Sequence, residues 1–170
     1  MKTTDNQQEI FDVVDEDDNV IGKTTRGETY KNKNLIHRSI YVAVFNSKGE
    51  LFMQQRSATK DTDPLCWDIS SSGHVRASGN YDDAAKRELE EELGVDLDLN
   101  FIDKFIIYYP HETEMVSLYR AYSEGPFKLH PEEIKSGRFI NKDTLSKEYK
   151  MGFIKLSFGA RVVLQKLNWI

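Results

Sequence analysis

Residues 82–93 constrain the chain more than any other stretch. Ala84, Ala85, Leu89 and Leu93 are good helix formers, and neither proline nor glycine interrupts the run. Asp82 and Asp83 suit the positive end of a helix dipole, and Gly94 suits the left-handed residue that closes one. On a wheel of roughly 100° per residue, Ala85, Leu89 and Leu93 form one apolar stripe that must face a core. Glu88, Glu91 and Glu92 then share an adjoining face, while Lys86 and Glu90 point to solvent. Like charges at this spacing repel by a few tenths of a kcal/mol per pair, about the reverse of an attractive pair. A divalent cation inverts that sign, and Mg2+ in particular combines a few carboxylates with waters and phosphate oxygens. An acidic helix face alone is ordinary surface. The flanking glycines, Gly73 before the run and Gly94 with Val95 after it, are what make this one unusual.

With those glycines included, residues 73–95 resemble the signature of the Nudix hydrolases, G-x5-E-x7-R-E-U-x-E-E-x-G-U, where U is aliphatic. Gly73, Arg87, Glu88, Leu89, Glu91, Glu92, Gly94 and Val95 match, eight of the nine fixed positions. The exception is the first glutamate, whose place is taken by Gly79 with Asn80 beside it. The resemblance implies an α/β/α sandwich with a mixed sheet. It also implies Mg2+-dependent hydrolysis of a diphosphate linkage in a nucleoside diphosphate joined to another moiety, with Mn2+ as the alternative cation.

The rest of the chain agrees with an α/β reading. Residues 10–15 and 20–25 read as a hairpin within an N-terminal extension over 10–34, preceded by a loose tail over 1–8. Residues 39–45 (SIYVAVF) form the best strand, and 51–56 return after the turn Asn46-Ser47-Lys48-Gly49. Residues 67–70 lead into the signature. Residues 101–109 and 115–122 pair around Pro110-His111-Glu112-Thr113, and 138–140 is a short strand. Leu156, Ala160, Val163, Leu164 and Leu167 recur at helical spacing, which predicts an amphipathic closing helix over 155–169.

At 170 residues the chain is long enough for one domain with a sizeable core. Its net charge of −5 argues against a nucleic-acid partner, and no apolar run approaches membrane-spanning length. The polar N-terminus and lone Cys66 fit a cytoplasmic protein. Cys66 has no supporting base and reads as inert. Symmetric dimers are the commonest assembly, so a homodimer is the form to expect if the chain associates.

A wider resemblance, over about residues 10–125, is to the Nudix branch that contains type I isopentenyl-diphosphate isomerase. It rests on Leu35-Ile36-His37-Arg38, FNSKGEL, Gln55-Arg56 and WDISSSGHV. That resemblance implies a second metal set at His37, His74, Glu112 and Glu114, and diphosphate contacts at Arg56 and Lys60. It breaks at two isomerase positions, where Tyr30 replaces a histidine and Ser72 replaces the catalytic cysteine. Serine has a far higher pKa than cysteine and no activating base is evident, so the hydrolytic machinery is the intact part.

The site expected is therefore Glu88, Glu91 and Glu92 as metal ligands, with Glu91 shared between metal binding and general-base work. Arg87 fixes a signature glutamate, and Gly73 lets the backbone run close beneath a small-molecule diphosphate. Glu132 and Glu133 are the alternative bases, although after Pro131 they equally suit the first turn of a helix. On residue type alone, His74 is as ordinary as any turn histidine, and Glu112 and Glu114 as ordinary as solvated turn acids. Trp67, Tyr108 and Tyr109 read as packing residues that could also stack on a base. The competing functions are the isoprenoid isomerase and a non-catalytic nucleotide-binding module, and the sequence leaves the diphosphate substrate open.

Overall fold

The computed structural model describes residues 5–170. In chain order its elements are β1 (Ile10–Val14), β2 (Val20–Thr25), α1 (Arg26–Thr29), β3 (Ile36–Phe45), β4 (Leu51–Arg56), β5 (Trp67–Ile69) and β6 (Ser71–His74). They continue with α2 (Tyr81–Leu93), β7 (Asn100–Tyr108), β8 (Thr113–Tyr122), β9 (Ile134–Ile140), α3 (Lys142–Lys150) and α4 (Phe158–Lys166). No helix among the described residues is long and apolar enough to cross a membrane.

β3 is the axis of a mixed sheet. It runs parallel to β8 from Ile36↔Thr113 to Phe45↔Tyr122, and antiparallel to β6 from Ser39↔His74 to Val42↔Ser71. Because side chains alternate along a strand, β3 feeds two cores. Ile40, Val42 and Val44 pack with Ala85, Leu89 and Leu93 of α2 on one face. Tyr41, Ala43 and Phe45 pack with Leu145 of α3 and Ala160, Val163 and Leu164 of α4 on the other. The result is an α/β/α sandwich. Ser70, between β5 and β6, donates to Phe52 O at 2.6 Å and accepts from Val44 N at 2.8 Å, tying the two halves of the sheet together where β6 leaves for the cleft.

Several expectations need correction. The hairpin over 10–34 is more than an appendage, since β1 pairs with β3 at Val13↔His37 and Val14↔Ile36. Residues 5–8 are not loose: Gln7 O accepts from Gly27 N at 3.0 Å, and the Asp5 carboxylate meets Lys60 at 2.5 Å. The remainder of the expected tail, residues 1–4, lies outside the described residues. β9 begins at Ile134, well before residue 138, and pairs with β4. No apolar periodicity announced α3, which buries only Leu145; it is set by its cap, where the Asn141 side chain accepts from Thr144 N.

Candidate active site

α2 begins at Asn80, whose side chain accepts from Asp83 N, and ends at Gly94 with φ of 68°. Asn80 thus caps the helix at the point where the signature departs. Gly79 sits in a turn so tight that a Cβ would lie 3.0 Å from Arg76 O. The stripe of Ala85, Leu89 and Leu93 is fully packed, and this fixes which way the acidic face looks. It looks into a cleft of about 730 Å3, within the range of small-molecule sites.

Glu88, Glu91 and Glu92 all line that cleft, in unequal environments. Glu92 is buried, and its Oε2 accepts from Gln54 Nε2 at 3.2 Å and Ser72 N at 3.1 Å. Glu88 lies against Gly73, where any Cβ would overlap its carboxylate. Gly73 is therefore needed to seat Glu88, a tighter constraint than the expected approach of backbone to substrate. Glu91 is half exposed and pairs with Arg87 at 3.1 Å. Arg87 also pairs with Glu88 at 2.8 Å and donates to His74 O at 2.8 Å, so one guanidinium positions two carboxylates and the signature's first strand. Burial, then the charge of Glu92, pushes the Glu88 carboxyl up to about 8. Burial likewise pushes Glu92 up to about 7.

The second expected set also converges. One ligand atom from each of His37, His74, Glu112 and Glu114 lies within 4.8 Å of the others. The parallel register of β3 and β8 sets His37 beside Glu114, and the β3–β6 register brings His74 opposite Ser39. Glu112 and Glu114 are buried, not solvated turn acids. His74 Nε2 is 3.3 Å from Glu114 Oε1, and Glu114 also accepts from Ser39 Oγ at 2.7 Å and Tyr109 Oη at 3.2 Å. Burial would raise Glu114, but the hydrogen bond and charge of His74 outweigh it and bring the carboxyl down to about 2. Glu112 goes the other way, to about 9, through burial and the charge of Glu114. Burial and then His74 hold His37 neutral, near 3, so its 3.6 Å approach to Glu112 is no ion pair. His37 Nε2 and Glu112 Oε2 are buried without a hydrogen-bond partner. Buried polar atoms left without partners in this way are costly unless a ligand or ion engages them.

The basic residues line the same cleft. Arg56 pairs with buried Asp68 at 3.4 Å and donates to Thr62 O at 3.1 Å. Lys60 meets Glu133 at 2.7 Å. Glu133 lines the cleft, where its charge helps raise Glu88 and Glu92, whereas Glu132 is exposed in the turn before β9, and no helix forms there. Trp67 lies under Arg138, whose guanidinium is 5.0 Å from its ring centroid, and Tyr108 faces solvent. Tyr109 lines the cleft. Cys66 is buried, and that burial pushes its thiol up, as suits an inert residue.

The NUDIX domain model matches residues 35–161. The chain belongs to the Nudix family. It is 37% identical over 141 residues to an uncharacterized Nudix hydrolase of Pseudomonas aeruginosa, a match covering 82% of this chain and 83% of that one. An isopentenyl-diphosphate delta-isomerase II of Camptotheca acuminata is 34% identical, over 78% of this chain but only 51% of the isomerase. The crystal structure of a Deinococcus radiodurans protein superposes with a TM-score of 0.81 at 25% identity, covering 92% of this chain and 98% of that one. These findings make the chain a Nudix hydrolase, acting on phosphorus-containing anhydrides, of the branch that resembles the isomerase.

Four residues of this Nudix site escaped sequence reading. Gln54 reaches Glu92 from β4; its signal was that Gln54-Gln55-Arg56 breaks the strand's alternation. Arg26 is buried, lines the cleft and pairs with Asp5 at 3.4 Å and Asp61 at 3.3 Å. Burial pushes Asp5 up, but Arg26 and Lys60 outweigh that and hold its carboxyl well below the usual range. His130, also in the cleft, stands in the turn ahead of Glu133. No local signal marks Arg26, Asp5 or His130.

The raised carboxyls predict a pH dependence. A carboxyl whose folded pKa exceeds its ordinary value contributes stability that is whole below that ordinary value and is lost as pH rises through the folded one. For Glu88 and Glu92 that window runs from 4.5 up through about 8 and about 7. Metal-free protein should melt at lower temperature near pH ~8 than near pH ~6, and added Mg2+ should raise the melting temperature more at the higher pH. Scanning calorimetry in EDTA and in Mg2+ reads this. Equal Mg2+ shifts at both pH values would contradict the coupling.

Proposed function

We propose that this enzyme hydrolyses a diphosphate linkage in a nucleoside diphosphate joined to another moiety, with Mg2+ or Mn2+ held by Glu88, Glu91 and Glu92. The observation that carries the reading is a pair of neighbouring, repelling carboxylates, buried Glu92 and part-buried Glu88, turned into a cleft lined with arginine and lysine. An all-oxygen donor set fits a hard divalent cation. When bound, such a cation neutralises charge on the phosphoryl oxygens and acidifies a water. The chain's own residues do the rest. Arg87 holds Glu88 and Glu91 in place, while Arg56 and Lys60 orient the diphosphate. Water attacks phosphorus, the bridging P–O bond breaks, and Glu91 takes the proton that the leaving phosphate group or solvent finally receives. Glu133 is the alternative base, favoured over Glu132 by its place in the cleft. Ser72 lines the cleft where an isomerase of this branch carries cysteine, which weighs against proton shuttling at carbon. The lone free Cys66 supports a cytoplasmic setting.

The test is a phosphate-release screen over nucleoside triphosphates, nucleotide sugars, dinucleotides and prenyl and thiamine diphosphates, with Mg2+, with Mn2+ and with EDTA. Release from a nucleotide in the presence of metal is expected. Tight nucleotide binding with no release under any metal would make the chain a binding module.

We further propose that His37, His74, Glu112 and Glu114 hold a second cation, the orphaned His37 Nε2 and Glu112 Oε2 supporting it. Two imidazoles admit borderline metals that the all-carboxylate set does not favour. Purified protein should retain about one equivalent of Zn2+ or Mn2+ through dialysis, and H37A should lose it. Elemental analysis showing no metal retained by wild-type protein, or the same content in H37A, would remove this site.

A further inference from the structure

Three consecutive residues of β6 hold the signature glutamates in place. Ser72 N donates to Glu92 Oε2 at 3.1 Å. Gly73 leaves the room that the Glu88 carboxylate fills. His74 O accepts from Arg87 Nη2 at 2.8 Å. That same nitrogen lies 2.8 Å from Glu88 Oε1, while Nη1 reaches Glu91 Oε2 at 3.1 Å. A shift of this strand end therefore disturbs all three carboxylates together. The His74 side chain belongs to the other set, with Nε2 3.3 Å from Glu114 Oε1 and one ligand atom within 4.8 Å of those of His37 and Glu112. One residue thus joins the second set by its ring and supports the first by its carbonyl. The ring packs on buried Phe11, centroids 4.7 Å apart, and Glu114 is fixed in turn by Ser39 at 2.7 Å and Tyr109 at 3.2 Å. The orphaned His37 Nε2 and Glu112 Oε2 complete the set that a cation would draw together.

We propose that His74 is a positioning residue: a cation in the second set fixes its ring, orders the end of β6, and so tightens the grip of Glu88, Glu91 and Glu92 on Mg2+. The inference rests on the diphosphatase reading and gives the second set a regulatory part in it. A ligand shifts an equilibrium only through contacts that differ between two states, and His74 supplies that contact to both sets. Coordination holds an imidazole in one orientation. A strand end already ordered by one cation leaves less ordering for the next to do, which is positive coupling without a large movement. Charge alone gives the opposite sign, since two cations sharing a cleft repel. His37 is the internal control, because it enters the same set from β3 and not from β6.

Calorimetry on the full chain reads the coupling, with Mg2+ titrated into chelator-stripped protein and into protein carrying one equivalent of Zn2+, a metal that imidazoles favour. The Zn2+-loaded chain should bind Mg2+ about tenfold more tightly, inside the usual range of such couplings, and Mg2+ should tighten Zn2+ by the same factor. His37→Gln and His74→Gln each remove a ligand and leave the backbone, so both should hold Zn2+ more weakly. At Zn2+ levels that fill one site per chain, His37→Gln should keep the Mg2+ gain and His74→Gln should lose it. Glu112→Gln serves as the same control should His37→Gln fail to fold. Mg2+ affinity that is equal or weaker with Zn2+ bound, or a gain lost alike in every ligand variant, would overturn the inference. So would a stripped chain that takes up no Zn2+. Coupled sites in a chain that hydrolyses no diphosphate would refute the diphosphatase reading alone, and an active chain with uncoupled sites would refute this inference alone.

Discussion

Glu92→Gln is expected to lower kcat by at least about a thousandfold, the scale lost when a group neutralising charge in phosphoryl transfer is removed. The substitution keeps shape and removes charge. Gln54 and Ser72 both bond to Oε2, and a glutamine carbonyl can still accept from them, which leaves the packing around β4 and β6 intact. Stability should separate from activity. In the metal-free protein the Glu92 carboxyl is pushed up to about 7 by burial, so a neutral amide removes a penalty and the melting temperature should not fall near pH ~8. Steady-state kinetics beside calorimetry checks both. A Glu92→Gln enzyme within about tenfold of wild type would end the assignment of this carboxylate, given that each tenfold step is about 1.4 kcal/mol of barrier.

Gly73→Ala should cost on the order of a hundredfold in kcat/KM, the price of misplacing a reacting group by about 1 Å. The added methyl overlaps the Glu88 carboxylate, so Glu88 must swing out of its seat and pull on Arg87, which also holds Glu91. Backbone conformation gives no reason for the loss, because Gly73 pairs in register with Ile40 and is absent from the positive-φ residues. That distinguishes it from Gly94, which needs its left-handed φ of 68° to end α2. A combined Gly73→Ala, Glu88→Ala protein should be no worse than Glu88→Ala alone, since the clash then has no partner. Additive losses in the pair would show that Gly73 serves something other than Glu88.

Legibility followed the range of the forces involved. β3 and α2 could be read because composition, period and caps agree with the tertiary packing: alternate residues of β3 feed opposite cores, and one stripe of α2 aims its acidic face. Glu112 could be read only through the family resemblance, since its local sequence suggested a solvated turn acid. Its burial depends on β8 lying parallel to β3, a pairing between distant segments with no local mark. Gln54 had a local mark in the broken alternation of β4, but its partner Glu92 arrives from distant α2, and the preference of the cleft for Glu133 over Glu132 is likewise set by tertiary packing. α3 shows the reverse case, a helix whose cap carried the signal while its single buried leucine gave no stripe to see.

The anchoring of Asp5 has a practical consequence. Its carboxylate lies inside the cleft and engages Lys60 and Arg26, two cations that an incoming diphosphate would also draw on. Asp5→Asn should therefore lower KM while leaving kcat in place, because a competitor for those cations is an acid of the protein itself. Steady-state kinetics on the variant reads this, and an unchanged or raised KM would contradict it.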